Sequence, residues 1–172
     1  MAGFQVVRKA SLAALLLAGG VLVTGARSSA AEPGERAERG SRAGTLEGTW
    51  RAQVALVNCS TGQQLGAPFA SLLTFGQGGT ATETTANAAF FPAMRGPGHG
   101  VWNAEGERRY SAAIIAFITK DGALVRSQTI TQEISLGEDG DSFSSVASVE
   151  FSDPAGTVLA RGCATATGLR FR

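Results

Sequence analysis

His99 is the only histidine in the chain, and the chemistry open to it is narrow. Multi-histidine zinc sites need more than one imidazole, and the two cysteines, Cys59 and Cys163, are better used in a bridge to each other. A lone histidine can be a proximal haem ligand. His99, however, stands in Gly96-Pro97-Gly98-His99-Gly100, which reads as an exposed turn. No Gly-x-Ser-x-Gly elbow marks a serine nucleophile. Glu105, Glu107, Glu133 and Glu150 have no spacing that pairs them as acid and base, and Glu133 and Glu150 fall in mixed polar stretches of the outer-surface kind. Tyr110, with Arg108 and Arg109, is a candidate for the lining of a cavity mouth, although strand-edge arginines are usually solvated. Asp121-Gly122 and Asp139-Gly140 are hairpin turns, since neither has EF-hand spacing, and there is no phosphate-binding glycine loop. The expectation is no assignable catalytic residue, no metal and no cofactor, so any function rests on shape and burial.

The cysteines say where such a protein works. An even pair in an exported chain reads as a disulfide, and the spacing is too wide for a local metal or redox motif. The bridge closes a loop of about a hundred residues, for which chain entropy gives about 4–5 kcal/mol. Export is itself legible. Arg8 and Lys9 precede an apolar run from Ala10 to Val23, and small residues follow up to Ala30 and Ala31, the pattern of a cleaved signal peptide. Fourteen residues are too few to cross a bilayer core of about 30 Å, which needs roughly 20. We therefore expect a signal peptide at 1–31, a polar spacer at 32–44, one folded domain at 45–172, secretion or periplasmic residence, and no integral membrane segment after cleavage. Thirteen arginines against two lysines, with abundant Ala and Gly, suit a GC-rich bacterium. All fourteen acidic residues and twelve of the fifteen basic ones follow residue 31. The resulting net charge of −2 offers no basic face for nucleic acid.

The elements that would position any site are strands. From Thr45 onward, runs rich in Val, Ile, Thr, Phe and Ser are cut by Gly, Asp and Asn at hairpin spacing. Eight are expected, spanning 48–59, 69–75, 80–86, 99–103, 108–119, 123–136, 142–151 and 157–170. Short connections make sequence neighbours hairpin partners. An open up-and-down sheet has two edges, and pairing first with last removes them. The fold class is thus an all-β, eight-stranded antiparallel up-and-down barrel, closed by a disulfide between its first and last strands. If the cysteines face one another, Trp50 lies opposite Arg172, with Arg170 one same-face step away.

Gly48-Thr49-Trp50, opening the first strand, is similar to the G-x-W signature of lipocalins and the wider calycin group. Together with eight strands, a closing bridge and a late arginine, it makes 45–172 resemble the small secreted calycin-like proteins of bacteria, many of uncharacterised function. The resemblance implies that Arg170 or Arg172 packs across Trp50 as a structural closure. The helix that usually precedes the last lipocalin strand is missing here, which favours a shorter branch.

Eight-stranded barrels are either filled by side chains or hold one small ligand. If Trp50 points inward, so do Ala52, Val54 and Leu56, and on the last strand Ala160, Gly162, Ala164, Ala166 and Gly168. That face is small enough to leave room, unless Phe143, Phe151, Trp102 or Ile114 fills it from the opposite wall. The loop 87–98 carries Phe90, Phe91, Pro92 and Met94, apolar where polar residues are usual, and reads as a lid, a contact surface or edge packing. Candidate ligand-binding residues of the interior and mouth are Trp50, Val54, Phe90, Phe91, Met94, Trp102, Tyr110, Ile114, Phe143 and Phe151. The expected function is secreted carriage of a small apolar molecule. The alternatives are a barrel isomerase or cyclase resembling the allene-oxide-cyclase type, or a secreted interaction or inhibitor module. The oligomeric state is left open.

Overall fold

A computed structural model describes residues 44–172. The expected signal peptide and all but the last residue of the spacer lie outside the described residues. Eight strands follow in chain order: β1 (Gly48–Val57), β2 (Phe69–Gly76), β3 (Thr80–Thr85), β4 (Met94–Gly106), β5 (Arg109–Lys120), β6 (Ala123–Leu136), β7 (Ser142–Ser152) and β8 (Val158–Arg170). Each pairs antiparallel with its sequence neighbour, and β8 returns to β1, closing the barrel. A single 3₁₀ turn, Ala88–Phe90, lies between β3 and β4. No helix of the described residues is long and apolar enough to cross a membrane.

The strands form where β-branched and aromatic residues alternate with small polar ones. In β5, Tyr110, Ala112, Ile114, Ala116 and Ile118 are buried while Ile115 and Phe117 face out. The connections supply the required backbone chemistry. Asp121 (φ 52°) and Gly122 (φ 79°) form the two-residue link from β5 to β6, with the left-handed pair that matches strand twist. Between β6 and β7 the Asp139 carboxylate accepts from the amides of Asp141 and Ser142 at 2.9 and 3.0 Å. Between β7 and β8, Asp153 does the same for Ala155 and Thr157.

Three expectations need correction. First, β4 begins at Met94 rather than at His99, so the apolar loop is shorter than 87–98. His99 lies within a strand, opposite Thr82 and Ile115 on the outer face, and not in a turn. The run of glycines permits this, because a Cβ on Gly100 would come within 1.9 Å of the Ala113 carbonyl oxygen. Second, β1 ends at Val57. The Asn58 side chain accepts from the amides of Ser60 and Thr61 and turns the chain. Cys59 therefore sits just past β1, and its disulfide to Cys163 runs diagonally, since Cys163 faces Val57 in the ladder. Third, Trp50 consequently lies opposite Arg170, not Arg172. The register moves by two residues, so inside and outside are preserved.

Candidate functional site: an internal cavity with a polar wall

The barrel has two unlike halves. At the end where β1 starts and β8 finishes it is filled. Trp50 is wholly buried, its indole donating to the Leu46 carbonyl at 2.9 Å. Phe143 meets it edge-on at 5.2 Å and occupies the space a side chain at Gly168 would need, 2.1 Å from where that Cβ would lie. Trp102 packs between Phe75 and Tyr110 and donates to the Gly76 carbonyl. Arg170 lies 4.2 Å over the Trp50 ring and donates to the carbonyls of Thr45, Glu47 and Gly140. Burial lowers its pKa while Asp141 opposes the shift; the guanidinium stays charged and closes this end. Arg172 is exposed and pairs with Asp141 instead.

The other half is hollow. A cavity of about 380 Å³ opens among the β1–β2 and β3–β4 loops, a volume within the range of small-molecule sites. Its floor is Leu73, Ile114 and Phe143. Its β1, β7 and β8 wall is built from small apolar residues, among them Val54, Ala147, Val149, Gly162, Ala164 and Ala166, with Leu56 at the rim. Of the residues singled out from sequence, Val54, Phe90, Ile114, Phe143 and Phe151 line this space. Phe90 reaches in from the 3₁₀ turn, its ring 6.4 Å from that of Phe151. Trp50, Trp102 and Tyr110 belong to the filled end. Phe91 and Met94 project from the mouth, 85% and 73% exposed. Glu133 is exposed, and Glu150 pairs with Arg161 on the outer face.

The opposite wall carries a buried polar set that the sequence reading missed. Glu83 and Arg95 form an ion pair at 2.5 Å, with side chains only 7% and 2% exposed. Ser71 donates to the other Glu83 oxygen at 2.8 Å, and Arg95 Nε donates to Gln128 at 2.5 Å. Arg95 reaches the interior through a bulge. The inward residues of β4 are Gly98, Gly100 and Trp102, so an odd-numbered residue would face out. The register shift between Arg95 and Gly98 inserts one residue and turns Arg95 in. Gly98 leaves the space beside it, since a Cβ there would stand 2.6 Å from Ile114 Cγ2 and 3.2 Å from Glu83 Oε2. In β6 the missed residues did leave a sequence signal. Gln128 and Gln132 alternate with Ile130 and Ile134 on the apolar face. Glu83 gave none, because its strand reads Thr-Ala-Thr-Glu-Thr-Thr with no clear apolar side.

The fold and cavity together define a closed eight-stranded antiparallel barrel of calycin-like form, filled at one end and hollow at the other. In comparisons with known proteins, no family model, no curated protein and no solved structure matches the chain.

Proposed function

We propose that this is an exported binding protein of the calycin type that carries a small, mostly apolar molecule in the open half of its barrel. The observation that carries the reading is the cavity of about 380 Å³ with a largely apolar lining. Binding would proceed by desolvating the ligand in a preformed space with few polar contacts, and Phe90 would cover the entrance. The calycin likeness is supported by the Trp50–Arg170 stack at the closed end. Export from a bacterium is supported by the signal-like N-terminus and by the disulfide, which suits an oxidising compartment. The test is native mass spectrometry of protein purified from its own secretion, followed by extraction of the bound molecule. A co-eluting small molecule is expected, and Ala147→Phe, which fills the cavity, should abolish it while the fold persists. Recovery of only the bare chain, with no uptake of apolar ligands added afterwards, would overturn the reading.

A second reading, a barrel isomerase or cyclase, is favoured by one observation: the Glu83 carboxylate is buried against the cavity. Both its oxygens are engaged, by Ser71 and Arg95, so catalysis would require a substrate to displace one of them. Its test is chromatography of an apolar metabolite pool incubated with wild type or Glu83→Gln. A retention shift at unchanged mass, produced by wild type alone, would favour the enzyme.

A further inference from the structure

The polar groups of the cavity fall into two sets. Ser71, Glu83, Arg95 and Gln128 satisfy one another. Gln132 and Ser145 do not share in this network. Gln132 lines the cavity, is 6% exposed, and its side-chain amide makes no hydrogen bond to the described residues. Ser145, also 6% exposed and lining the cavity, has a buried hydroxyl without a partner. Gln132 faces Ala147 and Ser145 faces Ile134 across the β6–β7 ladder. The two are therefore diagonal neighbours on the inner face, roughly 7 Å apart at the backbone. Among the described residues the Ser145 hydroxyl is the one buried side-chain polar group without a partner, and such groups are rare and ask for a reason; the Gln132 amide instead faces the open space of the cavity.

We infer that the ligand is an uncharged molecule with an apolar body and one hydroxyl or carbonyl group, which docks deep in the barrel on Gln132 and Ser145. This rests on the carriage reading and names its ligand class. The amide and the hydroxyl each donate and accept, and a turn of Ser145 about χ1 presents its oxygen to the cavity, so either functional group can be matched. A charged group cannot be matched there. Among the described residues two arginines line the cavity. Arg95 is already paired with Glu83, and Arg126 is exposed near the mouth. Gln132 lies six residue steps along β6 from Arg126, about 20 Å along the strand. A carboxylate beside Gln132 would thus be desolvated without a counter-charge. The apolar body lies along Val54, Ala147, Val149 and Ala164 toward the mouth.

Calorimetric titration with four ligands of one ring system tests this: naphthalene, 2-naphthol, 2-acetylnaphthalene and 2-naphthoate at pH 7. Wild type should bind the two neutral polar compounds about tenfold tighter than naphthalene, as one good hydrogen bond allows, and 2-naphthoate more weakly than 2-naphthol. Gln132→Leu and Ser145→Ala should each bring the naphthol-to-naphthalene ratio toward one, with naphthalene affinity kept or raised. Should Gln132→Leu fail to fold by near-ultraviolet circular dichroism, the smaller change Ser145→Ala decides. Equal binding of naphthalene and 2-naphthol, or a preference that survives these substitutions, overturns the subsite and leaves carriage standing. So does tightest binding of 2-naphthoate lost on Arg126→Gln. If none of the four binds wild type, carriage and subsite fall together.

Discussion

At the scale of single residues, the buried Glu83–Arg95 pair decides how the cavity tolerates change. Taking two charges out of water is costly, and their attraction repays it only with good geometry and further hydrogen bonds. Ser71 and Gln128 supply those bonds. Removing one partner strands the other, so Arg95→Met should destabilise by about 3–5 kcal/mol. The double variant Glu83→Gln/Arg95→Met should be markedly less destabilised than Arg95→Met alone. Urea denaturation of the wild type, both single variants and the double variant measures the coupling. Additive effects would show that the pair is not a unit.

At the scale of elements, the connections hold the register and the disulfide limits the unfolded chain. In the β6–β7 link, the amide of Asp141 and the hydroxyl and amide of Ser142 hold the Asp139 carboxyl below its ordinary pKa. A carboxylate with a depressed folded-state pKa contributes stability that is fully present above its unfolded pKa and is lost as pH falls through the folded one. The stability gap between wild type and Asp139→Asn should thus be constant from about pH 5 to 7 and shrink below about pH 4. Thermal melts across that range measure it, and a gap that persists unchanged at pH 2 would refute the assignment. The Cys59–Cys163 bridge spans 104 residues. Replacing both with serine should lower stability by about 4–5 kcal/mol if chain entropy dominates, read from denaturant unfolding with the slope fitted for each protein, because the unfolded chain without the bridge is less compact and exposes more surface. Because the barrel closes by a complete β1–β8 ladder as well, the reduced protein should retain its β-sheet circular dichroism in the absence of denaturant.

At the scale of the molecule, one plugged end makes a container of the other. Arg170 ties two segments distant in sequence, the approach to β1 through the carbonyls of Thr45 and Glu47 and the β6–β7 link through that of Gly140, while covering Trp50. Arg170→Met keeps the stem but leaves those carbonyls without their donor, each worth roughly 1–3 kcal/mol when buried. It should lower the melting temperature strongly and shift the Trp50 emission to longer wavelength. The hollow half should be insensitive, so apolar ligand affinity measured well below the melting point should change little. A selective loss of binding in that variant would mean that the two halves are coupled.

The alternation of residues, the turn chemistry and the cysteine pair were enough to read eight strands, their order and the closure, because each depends on neighbours in sequence or on one long-range covalent link. Inward parity on β1 and β8 followed only on the condition that Trp50 points inward; the burial of Trp50 meets that condition, and a slip of two residues leaves the parity unchanged. The division of the barrel into a filled and a hollow half was not legible. It depends on which aromatic side chains meet across the interior, Phe143 over Gly168 and Trp102 beside Phe75, and no local pattern encodes that. The polar wall was hidden for a sharper reason. One bulge reverses the face that Arg95 presents, and Glu83 is tolerated inside because Arg95 comes from another strand to meet it. A strand's own period fixes the face of its regular positions; the irregular ones, and the partners that make a buried charge affordable, are settled when the strands come together.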